Sequence, residues 1–211
     1  MHPRSKLSLI AFIMFFLSGA ALAAGSEATV TILPLSGVSV KLSVSADGRG
    51  LVYPLEARKK SGPFSFSAGS HRFSVRFDDT VLKESTRTLT KGGRYLMIVT
   101  GPAGSVDVTW VKLGTGATKT GAKVRIVNLA PDLPSLDVHR GADTIASGVR
   151  YGKASRIVTL SPGALVVEAF RSETGEKLGV LDSQSLEAGQ AYTLLVFGAP
   201  SKPESMWIVE R

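Results

Sequence analysis

The chain has 211 residues, no cysteine, and 25 Lys and Arg against 17 Asp and Glu, a formal charge of +8. Without cysteine it can hold no disulfide framework, no thiolate zinc site, no cysteine nucleophile and no lipid-acylated cysteine. At 44% apolar and 20% charged residues it is a folding chain rather than a disordered one, with length for one or two domains.

The first element is an export signal. Arg4 and Lys6 precede residues 7–17 (LSLIAFIMFFL), and residues 18–23 (SGAALA) end in Ala21-x-Ala23, the small-residue pattern that a signal peptidase reads. An apolar stretch of 11 residues is too short to span a bilayer, which takes about 20. Cleavage after about Ala23 leaves 188 residues and, with Arg4 and Lys6 removed, lowers the charge from +8 to +6. The expected location is the periplasm. An exported, mildly basic protein makes nucleic acid a poor partner and leaves anionic polysaccharide, a membrane surface or an acidic protein face open.

The rest of the chain repeats. Residues 28–35 (ATVTILPL) align with 122–129 (AKVRIVNL) at an offset of 94, and residues 67–69 (SAG) with 161–163 (SPG) at the same offset. Beyond that the offset is 97: Leu89, Gly92 and Tyr95 match Leu186, Gly189 and Tyr192, Gly101 matches Gly198, and Trp110 matches Trp207. The three extra residues fall at 175–177, the tip of a predicted hairpin, where insertions cost little. This predicts two homologous domains, 28–112 and 122–210, with 113–121 (LGTGATKTG) as a Gly/Thr-rich linker.

Each repeat reads as strands. Residues 38–44 (VSVKLSV) alternate, as do 71–77 (HRFSVRF), with His71, Phe73, Val75 and Phe77 on one face. Residues 96–99 (LMIV) and 193–197 (TLLVF) are short apolar runs suited to central strands. Turn residues recur every 8 to 12 positions and no helical period is sustained after the signal. The expected fold is all-β, two tandem immunoglobulin-like β-sandwiches of about seven strands each. Leu89-x-x-Gly92-x-x-Tyr95 and Leu186-x-x-Gly189-x-x-Tyr192 have the pattern of a tyrosine corner, in which the hydroxyl bonds back to the backbone where the chain crosses between sheets. Tyr95, Tyr192, Trp110 and Trp207 are therefore assigned structural roles.

Chemistry is sparse. His71 and His139 occupy non-equivalent positions and neither has a second His two or four residues on, so no metal is expected. No G-x-S-x-G elbow occurs, and residues 114–120 (GTGATKT) lack the Gly before Lys and the following helix of a phosphate loop. Asp78 and Asp79 form a hairpin tip, where a solvated turn cannot hold two carboxylates about a substrate. No catalytic residue and no cofactor are assigned. Two surface features stand out. Arg58, Lys59 and Lys60, with Arg72 and Arg76 on the outward face of their strand, are a candidate basic partner site. In the second repeat Val166 and Phe170 take the places of Arg72 and Arg76, so a sister domain, a loop or a partner is expected to cover them.

Residues 124–138 (VRIVNLAPDLPSLDV), then Gly163 and residues 190–193 (QAYT), resemble a widespread family of secreted bacterial β-sandwich domains of unknown function, over the whole second repeat. Residues 95–112 (YLMIVTGPAGSVDVTWVK) are similar to a strand, Gly-rich turn and W-V-K close in the AlgF-like accessory proteins of alginate and cellulose O-acetylation. That resemblance implies a non-enzymatic periplasmic adaptor in O-acetylation of an exported polysaccharide. It implies a membrane O-acyltransferase and a periplasmic acetyltransferase as partners, and carries over no catalytic residue. The alternative from another class is a secreted module that binds a polysaccharide or a surface.

Overall fold

The computed structural model describes residues 27–35, 42–102, 104–114 and 119–210. The export signal expected at 1–23, the middle of the expected linker (115–118) and the start of the strand expected at 38–44 lie outside these residues.

The first repeat forms β1 (Ala28–Pro34), β2 (Leu42–Ala46), β3 (Arg49–Val52), β4 (Ser61–Phe66), β5 (Gly69–Phe77), β6 (Thr80–Leu89), β7 (Arg94–Thr100) and β8 (Asp107–Leu113). The second forms β9 (Ala122–Asn128), β10 (Ser135–Arg140), β11 (Asp143–Arg150), β12 (Val158–Leu160), β13 (Gly163–Leu165), β14 (Glu168–Arg171), β15 (Lys177–Val180), β16 (Gln184–Leu186), β17 (Ala191–Ala199) and β18 (Lys202–Val209). In the first repeat the sheets run β4-β1-β7-β8 and β3-β2-β5-β6; in the second, β12-β9-β17-β18 and β11-β10-β14-β15, with a β13-β16 ribbon. The registers repeat as well. β1 and β7 pair in parallel with Val30 opposite Tyr95, and β9 and β17 in parallel with Val124 opposite Tyr192.

The alternation of β2 and β5 is what a sheet with one buried face requires: Leu42, Val44, Phe73 and Val75 turn inward and their neighbours turn to water. β1, β7, β9 and β17 are different because they are buried on both faces. Val30, Ile32, Met97 and Val99 pack in the first domain's own core, and Val124, Ile126, Leu194 and Val196 in the second's. The opposite faces meet in a third apolar layer between the domains. Leu33, Leu35, Leu96, Ile98 and Val111 pack there against Val127, Leu129, Leu195, Phe197 and Ile208, all at most 3% exposed. Four sheets are thus stacked with three apolar layers between them. Full burial of such side chains is worth roughly 1.5–3 kcal/mol each relative to exposure, so the two domains hold together as one body. Leu33, Leu35, Ile98 and Val111 correspond in the repeat to Val127, Leu129, Leu195 and Ile208, which makes the contact close to a two-fold one.

Both domains have more strands than the seven expected, eight in the first and ten in the second among the described residues, and the second has two more than the first because its outer hairpin is interrupted. β5 and β6 stay paired from Gly69–Leu89 to Phe77–Thr80, with a single register shift between Val75 and Arg76. The corresponding stretch is divided into β13/β14 and β15/β16, separated at residues 166–167 and 181–183. Asp182 explains the break: its N–H donates to Ser205 Oγ (2.8 Å) and its carbonyl accepts the Trp207 indole N–H (2.7 Å), so both its backbone groups are drawn to β18. At the matching position of the first domain, the Trp110 indole N–H donates to the Ser85 hydroxyl (2.9 Å). That leaves the Ser85 backbone free to pair with Phe73.

Candidate functional site

The outer sheet of the first domain turns a polar face to solvent. Strand alternation places Ser43 and Ser45 of β2, and Ser70, Arg72, Ser74 and Arg76 of β5, on that face, with Glu84 and Thr86 of β6 beside them. Together with Asp47, Gly48 and residues 50–53 they line an open groove of about 1270 Å³. Tyr53 stands in its wall with 68% of its surface exposed. The guanidinium of Arg72 has no ion-pair partner among the described residues. Arg76 donates to the carbonyl of Asp79 (2.6 Å), and Ser74 Oγ donates to Glu84 Oε1 (3.3 Å).

One end of the groove is fixed by His71 and Asp47. Asp47 Oδ1 accepts the Arg72 N–H (2.9 Å) and Oδ2 faces His71 Nδ1 (2.7 Å), while His71 Nε2 lies 3.0 Å from the Ser67 carbonyl. Both ring nitrogens thus face acceptors, which is the environment of an imidazolium. The hydrogen bond from His71 to the Asp47 carboxylate holds the His71 pKa above its usual value, and the same bond holds Asp47 below the usual carboxylate range. With both nitrogens engaged, His71 has no free lone pair with which to act as a base toward the nearby serines.

The expected basic site divides in two. Arg58 ion-pairs with Glu204 of the second domain and lies over the Phe197 ring, 5.4 Å from its centroid. Lys59 pairs with Glu56 at 2.9 Å. Arg72 and Arg76 belong to the sheet-face groove, in whose lining Arg58, Lys59 and Lys60 take no part. In the break before β14 of the second domain's outer sheet, Val166 is 51% exposed, and on β14 Phe170 is half-buried with its ring 4.7 Å from that of His139. The sister domain does not cover them, since it packs on the inner sheet. Beside them Glu168 pairs with Lys177, and Val180 is exposed.

The four aromatic residues assigned structural roles sit in equivalent settings. Tyr95 Oη accepts the Thr90 N–H and Tyr192 Oη the Glu187 N–H, both at 2.9 Å. Trp110 packs edge-on against Phe73 at 4.7 Å, and Trp207 against Tyr192 at 6.3 Å. Sequence reasoning passed over Asn128, the chain's single Asn, which is fully buried. Its Nδ2 donates to the Leu133 and Val149 carbonyls (2.8 and 3.0 Å), its Oδ1 accepts the Ala130 N–H (3.1 Å), and its backbone bonds Gly152 and Lys153. A lone amide in an otherwise apolar run was the available signal.

A second opening, about 620 Å³, lies between the domains. Its floor is Leu35, Leu129 and Phe197. On its rim the Tyr151 hydroxyl donates to Asp107 (3.1 Å) and Lys83 pairs with the same carboxylate (3.0 Å). Burial raises the Asp107 pKa, but its bonds from Lys83, the Val108 N–H and Tyr151 outweigh this and hold it below the usual range. Among the described residues no group of three or more His, Cys, Asp or Glu is placed to hold a metal ion.

Two β-sandwiches stacked sheet on sheet, with a polar groove on an outer face, define a tandem sandwich protein. The chain belongs to the family described as Domain of unknown function (DUF4397), whose model matches residues 28–139 and again 122–211. No curated protein matches the chain significantly. Among solved structures it is similar to the C-terminal domain of AlgF from P. aeruginosa at 22% identity and a TM-score of 0.35, over 43% of this chain and 99% of that one. It is also similar to a candidate cell adhesion protein from Bacteroides uniformis, at 12% identity and a TM-score of 0.30, over 88% and 96% of the two chains. A third is a module of family CBM26 from Eubacterium rectale, solved with maltoheptaose, at 12% identity and a TM-score of 0.27, over 86% and 95%. Likenesses of this size bear on neither ligand nor activity.

Proposed function

We propose that this protein is an exported, non-enzymatic accessory protein that holds a strand of polysaccharide on the outer sheet of its first domain. The groove over β2, β5 and β6 carries this reading. Its hydroxyls, on Ser43, Ser45, Ser70 and Thr86, both donate and accept hydrogen bonds, as sugar hydroxyls do. Arg72 and Arg76 add donors, Glu84 an acceptor, and the exposed Tyr53 ring a face on which a pyranose can stack. Affinity electrophoresis through gels containing alginate, carboxymethylcellulose or a neutral cellulose ether tests it. Retardation by at least one polymer, reduced in Tyr53→Ala and in Arg72→Gln/Arg76→Gln, is expected. Unchanged mobility in all three polymers would remove the reading.

The finer assignment is to O-acetylation of the exported polymer in the periplasm, alongside a membrane O-acyltransferase and a periplasmic acetyltransferase. It is favoured by the resemblance carried by residues 95–112. An exposed Val166 next to a half-buried Phe170 gives such a partner an apolar foothold on the face opposite the sister domain.

A further inference from the structure

We infer that the second domain carries its own polymer site, a cationic groove that takes a carboxylate-bearing polysaccharide, a polyuronate strand. The groove lies on the open side of the second sandwich, where edge strand β11 of the outer sheet meets edge strand β12 of the inner one. Its volume is about 590 Å³. Ile145, Val149 and Val158 give it an apolar floor, and Arg150, Lys153 and Arg156 stand around it, all three exposed. None of the three has an ion-pair partner among the described residues, and no carboxylate is among the residues that line the groove. The first-domain groove, by contrast, holds Asp47 and Glu84 beside its arginines.

The cations are held by a rigid support. Asn128 bonds the carbonyls of Val149 and Lys153 and accepts the Gly152 N–H, which fixes the turn between Arg150 and Lys153 from beneath. Ser155 Oγ accepts the Ile126 N–H (3.0 Å) and donates to the Arg156 carbonyl (2.7 Å), fixing the next stretch. β11 itself is bulged at Ser147 and Gly148, where Gly148 has φ 63°. The bulge is clamped by Asp137, whose Oδ1 accepts from Ser147 Oγ (3.1 Å), the Gly148 N–H (2.7 Å) and Ser172 Oγ (2.5 Å). A bulge at a sheet edge redirects the following side chains, here Arg150. Asp137 is an anchor for the bulge: it forms no ion pair with the three cations and is not among the residues that line the groove. Three unpaired cations on a fixed backbone, over an apolar floor, match a chain of sugar rings that presents an apolar face and a carboxylate at each residue. Guanidinium and carboxylate form two parallel hydrogen bonds, and linked carboxylates engage several cations at once.

This inference rests on the polysaccharide reading, and its test separates the two. The exported chain, the variant Arg150→Gln/Lys153→Gln/Arg156→Gln and the variant Arg72→Gln/Arg76→Gln are compared for binding to polymannuronate, a neutral cellulose ether and poly-glutamate. The triple variant is expected to keep its melting temperature, because all three side chains are exposed, and to lose about tenfold or more in affinity for polymannuronate. Its affinity for the neutral polymer should not change. Monomeric uronate at matched carboxylate concentration should compete weakly; competition on equal terms would overturn the polymeric occupant. Wild-type affinity of the triple variant for polymannuronate, or equal binding of poly-glutamate by the unaltered chain, would overturn the inference while leaving the first-domain reading intact. Binding of no polysaccharide at all would remove both.

Discussion

Arg125 and Glu210, 85 residues apart, form an ion pair of 2.6 Å with the two side chains only 11% and 2% exposed. Thr193 Oγ1 accepts a bond from Arg125 and donates one to the same carboxylate, whose second oxygen accepts the Gly114 N–H (2.6 Å) at the end of the first domain. The repeat places Thr31, Leu96 and Leu113 at the corresponding positions of the first domain, so the network belongs to one side of the domain contact only. Removing one partner of such a pair strands a buried charge. Glu210→Ala is expected to destabilise the protein by about 3 kcal/mol or more, read from urea midpoints. Arg125→Thr with Glu210→Leu, the first domain's own residues, should recover most of that loss. Equal destabilisation by the double and the single variant would mean that the network contributes through its geometry rather than by satisfying a buried charge.

The tyrosine hydroxyls give a second test. Tyr95→Phe and Tyr192→Phe each leave a part-buried N–H, of Thr90 or of Glu187, without its acceptor. Each should cost about 1–2 kcal/mol in chemical denaturation. Wild-type stability in both would show that water replaces the hydroxyl without loss.

These two features were not equally legible in the sequence. Leu-x-x-Gly-x-x-Tyr, twice in register, revealed the corners because a local bond leaves a local pattern. Arg125 was hidden, since Lys123 and Arg125 in the run 122–129 are compatible with either face of a strand. The runs 96–99 and 193–197 announced central strands, but an apolar run does not say what covers its second face. Only the structure shows that Ile98 meets the sister domain's layer. The interrupted outer hairpin depends on the backbone of Asp182, and Arg150, Lys153 and Arg156 are brought together by a turn and a bulge. Neither feature has a hydrophobic period.

The shared apolar layer makes a prediction of its own. Residues 24–114 and 119–211, expressed as separate chains in one cell, should co-purify as a one-to-one complex by size-exclusion chromatography with light scattering. Leu195→Glu or Ile98→Glu, each placing a charge in that layer, should abolish the complex. Two folded halves that elute apart would mean that the covalent link, and not the layer, holds the domains together.

His71 and Asp47 predict a pH dependence. The His71 pKa is raised by its bond to Asp47, so its contribution is fully present below its unfolded value of 6.5 and is lost as pH rises through the folded one. Asp47 is lowered, so its contribution is present above 3.8 and is lost as pH falls through the folded value. The stability difference between wild type and Asp47→Asn should therefore peak between about pH 4 and about pH 6.5 and shrink on both sides. A difference independent of pH would assign the role of Asp47 to the neutral hydrogen bond from the Arg72 N–H alone.

Phe170 tests the acetylation reading. Its ring lies on the outer face of β14, half-buried against His139, and the repeat places Arg76 at the matching position of the first domain. An arginine is thus compatible with the sheet at this point, and Phe170→Arg should leave the isolated protein folded. If a component of the acetylation machinery docks on Val166 and Phe170, that substitution replaces an aromatic anchor with a charge and should weaken docking by about 2 kcal/mol or more. The expected outcome in cells is normal export of the variant with reduced acetylation of the polymer. Because Phe170 lines neither polysaccharide groove, the purified variant should still be retarded by the polymers that retard wild type. Normal acetylation by a folded Phe170→Arg protein would exclude this face as the docking site and leave the cluster at Arg58, Lys59 and Lys60 as the next to test. Loss of polymer binding by the variant, with acetylation unchanged, would instead move the polysaccharide strand onto the second domain's outer sheet.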